Sequence, residues 1–159
     1  MLAGDIPYWG ANGVVDQISK ALFDEELVLL GEDGAPFNDP IRDVAFRVRG
    51  PSWINNHIHV LRAGPGVDSR FLTYALNSVD WPPLITGSTR DKLTQDYMNR
   101  ALIPMWALDK QYRIADFLDK EAGRIDRLIA AKFSQLDLLR ERRQALVTAA
   151  ATGQVGFEC

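Results

Sequence analysis

The sequence predicts a mixed α/β (α+β) protein in which a globular head is followed by a long C-terminal coiled-coil-type α-helix. Residues 1–107 hold short apolar stretches broken by glycine and proline, which is typical of short strands and helices. Residues 108–152 contain no proline and repeat apolar residues at heptad spacing. A helix of about forty residues is roughly 60 Å long, too long for the core of so small a domain. We therefore expect a head at 1–107, a partner-binding helix at 108–152 and a tail at 153–159.

Within the head, four strands and one short helix are predicted. Leu27–Leu30 is a continuous apolar run closed by glycine, which predicts a buried strand, and the following Glu32-Asp33-Gly34 is typical of a tight hairpin turn. Strand-like patterning at 44–49, 57–62 and 101–104 predicts three further strands. Asp68 can cap a short helix whose apolar stripe includes Phe71 and Leu76.

The long helix is predicted to be capped by Asp109 and stopped by Gly153. Its two heptad series hold Ala115, Ala122, Ile129, Leu136 and Arg143 at one position, and Leu118, Ile125, Lys132, Leu139 and Leu146 at the other. A seam sustained over more than four heptads predicts pairing with another helix. We expect Lys132 and Arg143 to select register by meeting Glu121 or Asp126 of an antiparallel partner. The alternative is that their long stems simply carry the charges to solvent.

Composition narrows the class of protein. The net charge of −3 argues against a strongly basic, sequence-indifferent nucleic-acid binder. The balance is −5 over residues 1–50 and +1 over each of 51–108 and 109–159, and the cluster Arg140, Arg142 and Arg143 is by itself typical of a solvated helix surface. The only cysteine, Cys159, excludes a disulfide within one chain. No signal peptide or membrane-length apolar run is visible, so we expect a cytoplasmic protein.

Catalytic and cofactor motifs are absent from the sequence. It holds no GxGxxG, no phosphate-binding GxxxxGK[ST], no HExxH and no GxSxG, so we expect no catalytic residues. His57 and His59 share one face of a predicted strand and would need carboxylate ligands to hold zinc. Strand histidines held by hydrogen bonds are the simpler interpretation, and we expect no metal site.

Two polar segments of the head have the chemistry for DNA contacts. Tyr8, Trp9 and Asn12 lie among glycines, and an asparagine can bond an adenine edge at two points. The alternative is an aromatic pair in the core with a glycine turn. Small hydroxyl and cationic side chains at Ser88, Thr89, Arg90 and Lys92 suit phosphate and base-edge contacts, although a plain solvated loop has the same composition.

Taken together, several segments resemble the target-recognition domain and spacer helix of type I restriction–modification specificity subunits. They are IPYWGANG at 6–13, LLGEDG at 29–34, WINNHIHVL at 53–61, GST at 87–89, IADFL at 114–118 and RRQALVTAA at 142–150. Their order and spacing also fit, and they cover nearly the whole chain. Two features depart from the family pattern: Met105-Trp106-Ala107 and Lys110-Gln111 stand where a proline pair and Glu-Gln are common. The chain also carries one head and one helix and lacks the usual opening strands, so we expect a half-subunit or fragment.

The resemblance implies a non-catalytic subunit whose head recognises one half of a bipartite target in double-stranded DNA. The DNA-contacting residues would be Tyr8, Trp9, Asn12, Asn56, His57, Ser88, Thr89, Arg90 and Lys92. The helix would pair through Leu118, Ile125, Ile129, Lys132, Leu136, Leu139, Arg143 and Leu146, with another specificity half or in a homodimer. Methyltransferase (modification) subunits would dock on that framework, carry the S-adenosylmethionine and connect to the restriction subunit. The rival is an interaction-only fragment that binds these subunits without binding DNA.

Overall fold

The structure, a computed structural model, describes residues 4–87 and 91–154. It is an α+β protein, as predicted. Its contacts divide the chain into two compact units, Met1–Ala115 and Asp116–Cys159. The first unit is the head together with the beginning of the long helix, and the second is the remainder of that helix.

Two small sheets form the head. The strands are β1 (Ile6–Gly10), β2 (Gly13–Ile18), β3 (Phe23–Asp24), β4 (Leu27–Gly31), β5 (Ala45–Val48), β6 (Pro51–Ile54) and β7 (Ile58–Leu61). One sheet has the order β2-β1-β6-β3 and the other β5-β4-β7. β1 and β2 form an antiparallel hairpin, whereas β1 and β6 are parallel. Gly13 closes the hairpin turn with φ +110°, a backbone conformation that favours glycine.

The predicted strand at 27–30 is confirmed as the centre of the second sheet. β4 is buried along its whole length because both of its faces are covered. Leu27 and Leu29 pack with Ile54 of the other sheet, whereas Val28 and Leu30 pack with residues that include Trp81 and Leu93. This explains why the strand has a continuous apolar sequence rather than an alternating one.

The tight hairpin predicted at Glu32-Asp33-Gly34 is wrong. Gly34 does have a positive φ of 73°, but the next strand begins only at Ala45. The intervening residues form a longer connection because Gly34 N donates to Asp91 O and Leu93 N donates to Glu32 O. The turn at Glu32-Asp33-Gly34 therefore forms hydrogen bonds with residues 91–93 and does not close a tight hairpin. The predicted strands at 44–49 and 57–62 are confirmed as β5 and β7.

Helices cover the β5-β4-β7 sheet. α1 (Ser69–Asn77) is capped by Asp68, whose carboxylate accepts from Phe71 N at 2.8 Å, as predicted. At its other end the Asn77 side chain bonds the backbone of Val44 and Ala45 on β5. A 3-10 turn at Pro82–Leu84 and the short α2 (Gln95–Met98) follow.

The prediction of a strand at 101–104 is wrong. These residues form no strand, because no neighbouring strand pairs with them in the described part of the chain. Ala101 N instead donates to Met98 O, which continues the turn after α2. Ile103 still packs on the core, whereas Leu102 is 93% exposed, so the alternation of inward and outward side chains exists without a sheet.

The long helix α3 spans Leu108–Ala151. The prediction that Asp109 caps the helix is wrong. Lys110 N and Gln111 N both donate to Ala107 O, so Asp109 lies inside the first turn. There its carboxylate pairs with Arg113 at 2.6 Å. The stop at Gly153 is confirmed, with φ +73° and Gln154 N bonded to Ala149 O. Among the described residues, no helix is both long and apolar enough to cross a bilayer.

The first two turns of α3 belong to the head. Gln111 and Ala115 are both fully buried. Ala115 packs against Phe71 and Ala75 of α1. The Gln111 amide accepts from Asp68 N at 2.9 Å and donates to Gly66 O and to Trp106 O. One side chain thus joins the beginning of α3 to the loop that caps α1.

Candidate functional site

Four loops meet at one end of the two sheets. They are the β1–β2 turn at 11–12, the segment 32–34, the β6–β7 turn at 55–57 and the segment 91–93. Backbone bonds join three of them: Glu32 N donates to His57 O at 2.9 Å, and Gly34 N donates to Asp91 O at 2.8 Å. The β1–β2 turn is joined to the segment 32–34 by the side chain of Asn12. We call the polar side chains displayed by these loops the loop surface, and its described members are Asn12, Glu32, Asp33, Asn56, His57, Asp91 and Lys92.

The β1–β2 turn lies tightly against the end of β4. A Cβ added at Gly31 would overlap the Ala35 side chain and would lie 3.1 Å from the Ala11 carbonyl oxygen, so this approach needs a glycine. Asn12 is exposed at the tip of the turn, and its Nδ2 donates to Gly34 O at 3.3 Å. This bond uses one amide proton, so the carbonyl oxygen and the other proton face no partner within the described residues.

Each basic group of the loop surface has an acidic neighbour. His57 Nδ1 lies 3.3 Å from Asp33 Oδ2, and Lys92 Nζ lies 3.5 Å from Glu32 Oε1. Asp91 adds a third carboxylate, which accepts from the Asn38 amide at 2.7 Å. Over its described residues the loop surface is therefore not basic, and phosphate attraction alone would not hold DNA against it.

Tyr8 and Trp9 are built into the first sheet rather than displayed on the loops. The Tyr8 hydroxyl accepts from Asn55 Nδ2 at 2.9 Å, and Asn55 N donates to Trp9 O. The Trp9 ring packs 5.7 Å from that of Phe46, and its buried Nε1 has no hydrogen-bond partner among the residues that the structure describes. Trp9 is thus partly buried against the core, whereas Tyr8 is partly buried and held by its bond to Asn55.

The remaining DNA-contact candidates lie around the same loops. Asn56 is exposed in the β6–β7 turn. Two backbone bonds join Thr86 and Lys92, and Lys92 belongs to the loop surface. The other candidates are Ser88, Thr89 and Arg90. Those three candidates lie outside the described residues.

Both histidine rings of the candidate zinc pair have polar partners. His59 Nε2 lies 2.7 Å from Leu93 O, and His57 pairs with Asp33. Within residues 4–87 and 91–154 no three His, Cys, Asp or Glu side chains are placed to hold a metal ion.

An apolar face runs along α3 beyond the head. Its central residues are about half exposed, and a shallow groove of about 340 Å³ lies along them. The groove is lined by Ile125, Leu128, Ile129, Lys132, Phe133 and Leu136. Leu139 and Leu146 continue the face toward the end of the helix, with side chains 60% and 56% exposed. Because Ala115 is buried in the head, the face available to a partner begins at Leu118 rather than at Ala115.

Charged side chains lie within and beside this face. Lys132 Nζ lies 3.2 Å from Gln135 Oε1, and Arg140 pairs with Asp137 at 2.9 Å. Glu121 pairs with Arg124 at 3.5 Å. All these contacts are exposed and lie within one helix, so they stabilise little and can be exchanged for contacts with a partner.

Sequence reasoning missed the acidic members of the loop surface and the buried Gln111. The sequence predicts Glu32 and Asp33 only as turn residues, although a carboxylate beside a predicted strand end is a signal of a polar contact. Another carboxylate, that of Glu26, also makes hydrogen bonds within the head. Glu26 accepts from the Ser69 hydroxyl and from Arg49, and the Ser69 hydrogen bond above all lowers the pKa of its carboxyl.

Comparison with known proteins shows a family match and a similar relative. The profile of the type I restriction modification DNA specificity domain matches residues 2–138. A Haemophilus influenzae protein described as a type I restriction enzyme specificity subunit is 33% identical over 118 residues. The matched stretch makes up 74% of this chain and 30% of that relative, so the chain spans only about a third of the relative's length.

Proposed function

The chain belongs to the type I restriction–modification specificity family, and from that membership we propose that its head recognises one half of a bipartite DNA target. The loop surface is the recognising element. The observation that carries the proposal is the convergence of Asn12, His57 and Lys92, which are far apart in sequence, on loops joined by backbone bonds and by the Asn12 side chain. A fixed framework with displayed polar groups suits base readout, which depends on geometry.

Base-edge contacts carry most of the recognition in this proposal. The free carbonyl and amide proton of Asn12 suit a bidentate contact with adenine. The carboxylates of Glu32 and Asp33 can accept from the amino group of cytosine. Lys92, with Arg90, supplies phosphate contacts that position the head without reading sequence. Tyr8 acts through Asn55, and Trp9 supports the sheet.

The partners follow from the family. We propose that α3 docks the modification subunits, which bring the S-adenosylmethionine and through which the restriction subunit joins. The chain itself then needs no catalytic group and acts in the cytoplasm with its DNA. The apolar face and the exposed charges beside it supply the docking surface.

One observation favours the second candidate function, an interaction-only chain. Each described basic group of the loop surface is already paired with a carboxylate. If these pairs remain intact when DNA approaches, the carboxylates of the loops repel phosphate. Only the helix then binds a partner. This alternative predicts co-purification with a modification subunit and no retardation of target DNA.

The test is the methylation pattern of cells that express the full chain with its modification subunit. Asn12→Ala should abolish or relax methylation of one half-site and cost about 1–3 kcal/mol of target binding. Gln17→Ala is the matched control, since Gln17 is an exposed amide at the far end of the same hairpin, opposite Pro7. Equal losses on target and random DNA would remove Asn12 from base reading. No methylation difference between cells with and without the chain would overturn the proposed function.

A further inference from the structure

A cavity opens on the surface of the head where α1 ends. Its volume is about 290 Å³, which is close to the lower limit for sites that bind a small ligand or a single large side chain. Its apolar walls are supplied by Phe37, Pro40, Val79 and Pro82. The polar part of its lining comes from two asparagines, one serine and one aspartate, so the cavity offers both apolar contact and hydrogen bonding.

Hydrogen bonds and ring packing hold the walls of the cavity in place. The Asn77 amide accepts from Val44 N and Ala45 N and donates to Ala45 O, which fixes the end of α1 to β5. The Phe37 ring packs edge-on against Trp81, with 6.0 Å between the ring centroids. The Trp81 indole N–H in turn donates to the backbone of α1. The cavity is therefore preformed, and a ligand does not have to order it.

The polar groups that remain available in the cavity are acceptors. Asp80 is exposed, and its carboxylate has no partner among the described residues. Asn38 uses its amide nitrogen to bond Asp91 at 2.7 Å, which leaves its carbonyl oxygen. The Ser78 hydroxyl donates its one proton to Ala75 O at 2.8 Å, so it can only accept a further bond. A ligand of this cavity must therefore donate hydrogen bonds.

The charge around the cavity favours a cation. Residues 38–43 and 77–82 hold Asp39, Asp43 and Asp80 against the single Arg42, a balance of −2. The cavity also lies at the C-terminal end of α1, where the helix dipole is negative. Arg42 does not line the cavity, and no basic side chain does so within the described part of the chain. The positive charge must therefore come from outside this surface.

We propose that the cavity binds the side chain of an arginine presented by a partner protein. A guanidinium group has five N–H donors in a planar fork, so it can bond the Asp80 carboxylate at two points and still reach the Asn38 carbonyl. Its weakly hydrated plane and its methylene stem suit apolar walls such as Phe37 and Pro82. A lysine ammonium group is more strongly hydrated and makes no forked contact, and Asp80 repels an anion.

An exposed apolar side chain beside the cavity favours a protein over free arginine as the source. Ile41 is 91% exposed and directly follows Pro40, which lines the cavity. Its position is fixed, because Ile41 N donates to Asp39 Oδ1 at 3.0 Å and Arg42 N donates to Asp39 O at 3.3 Å. A residue next to the bound arginine in a partner chain can cover Ile41, whereas the free amino acid has no group for this contact.

Nuclear magnetic resonance of the ¹⁵N-labelled full chain tests the ligand class. N-acetyl-arginine amide should shift the amide signals of residues 38 and 78–80 and saturate with a dissociation constant on the order of 1 mM. N-acetyl-lysine amide should bind at least about fivefold more weakly, because it lacks the fork. The citrulline derivative, which has the shape of arginine without its charge, should not bind. Equal binding of either derivative, or shifts spread evenly over the head, overturns the proposal.

Two aspartate variants test the position of the site. Asp80→Asn keeps the size of an exposed side chain and removes its charge, so it should weaken the arginine derivative at least about fivefold while the fold persists. Asp5→Asn is the matched control, since it makes the same change at an exposed residue beside β1 and should leave binding unaltered. Unchanged affinity in Asp80→Asn, or an equal loss in the control, overturns the proposal.

Blocked dipeptides test the protein source. Of N-acetyl-Arg-Leu amide and N-acetyl-Leu-Arg amide, at least one should bind about threefold more tightly than the single residue, because its leucine covers Ile41. Ile41→Ser should remove that gain and leave the binding of N-acetyl-arginine amide unchanged. The absence of any gain, or a gain that survives Ile41→Ser, overturns the assignment to a protein partner. Methylation measured with the modification subunit reports on the proposed function independently.

Discussion

Gln111 offers a sharp test of how the head is held to the beginning of α3. Its side chain is fully buried, and three backbone groups depend on it: Asp68 N, Gly66 O and Trp106 O, at 2.9, 2.9 and 2.7 Å. Leucine has nearly the same size but can make none of these bonds. The substitution Gln111→Leu therefore removes hydrogen bonding with little change in packing volume.

The expected loss of stability can be worked out from these contacts. Each hydrogen bond contributes about 0.5–1.5 kcal/mol net, and a group left unpaired in a buried place costs more. Three bonds give about 2–4 kcal/mol, from which burial of the leucine side chain recovers about 1 kcal/mol. We expect the free energy of unfolding of the head to fall by about 1–3 kcal/mol. With an m-value near 1.5 kcal/mol per molar, the urea midpoint falls by roughly 1–2 M.

Tryptophan fluorescence during urea unfolding is the appropriate assay, because Trp9, Trp53, Trp81 and Trp106 all lie in the head unit. Gln144→Leu is the control: it makes the same change at an exposed position of α3 and should shift the free energy by less than about 0.5 kcal/mol. If Gln111→Leu behaves like Gln144→Leu, the side chain does not hold the head to the helix.

Three further variants test the charges. Lys92→Ala should weaken specific and random DNA binding alike and lower the salt slope by about one, and a loss confined to the target would contradict a phosphate role. Lys132→Leu should stabilise the helix pair while loosening its orientation, so inter-chain crosslinks that keep a single orientation would refute a selecting role for the charge. The lowered pKa of Glu26 stabilises the head above the usual carboxyl pKa of 4.5, and this contribution is lost as pH falls through the folded value. Glu26→Gln should therefore flatten the loss of stability below about pH 4.5, as measured by urea unfolding between pH 3 and 6; an unchanged acid limb would show that Glu26 contributes nothing.

The elements that could be predicted are those in which the sequence pattern corresponds to one kind of burial along the whole element. β4 has both faces buried, so its sequence is apolar throughout, and α3 repeats one pattern for more than four heptads. β2 escaped prediction because Val14 and Val15 are both largely exposed beside polar neighbours, which hides any alternation. β6 escaped because Pro51 looked like the end of a strand, whereas it is the first residue of one, where its missing N–H is tolerated.

The candidate site could be predicted as residue types but not as a surface. Asn12, His57 and Lys92 were identified by their chemistry, yet only the pairing of β1 with β6 and of β4 with β7 brings their loops together. Long-range strand pairing leaves no mark at the individual positions. For the same reason the contacts of Glu32 and Asp33 with these basic groups could not be anticipated.

The main-chain bonds between the loops have a consequence for how this protein can change. Because Glu32 N, Gly34 N and Leu93 N make three of the connections, replacing a displayed side chain removes none of these three. Replacing Asn12 does remove a bond to the backbone of another loop, the one to Gly34 O. New combinations of side chains can therefore arise by substitution while the folded framework persists. Substitution is disfavoured at two positions. Any Cβ at Gly31 collides with Ala35, and Gly34 has a φ of +73°, which favours glycine. Divergence among descendants of this chain should spare those two glycines while the side chains around them drift.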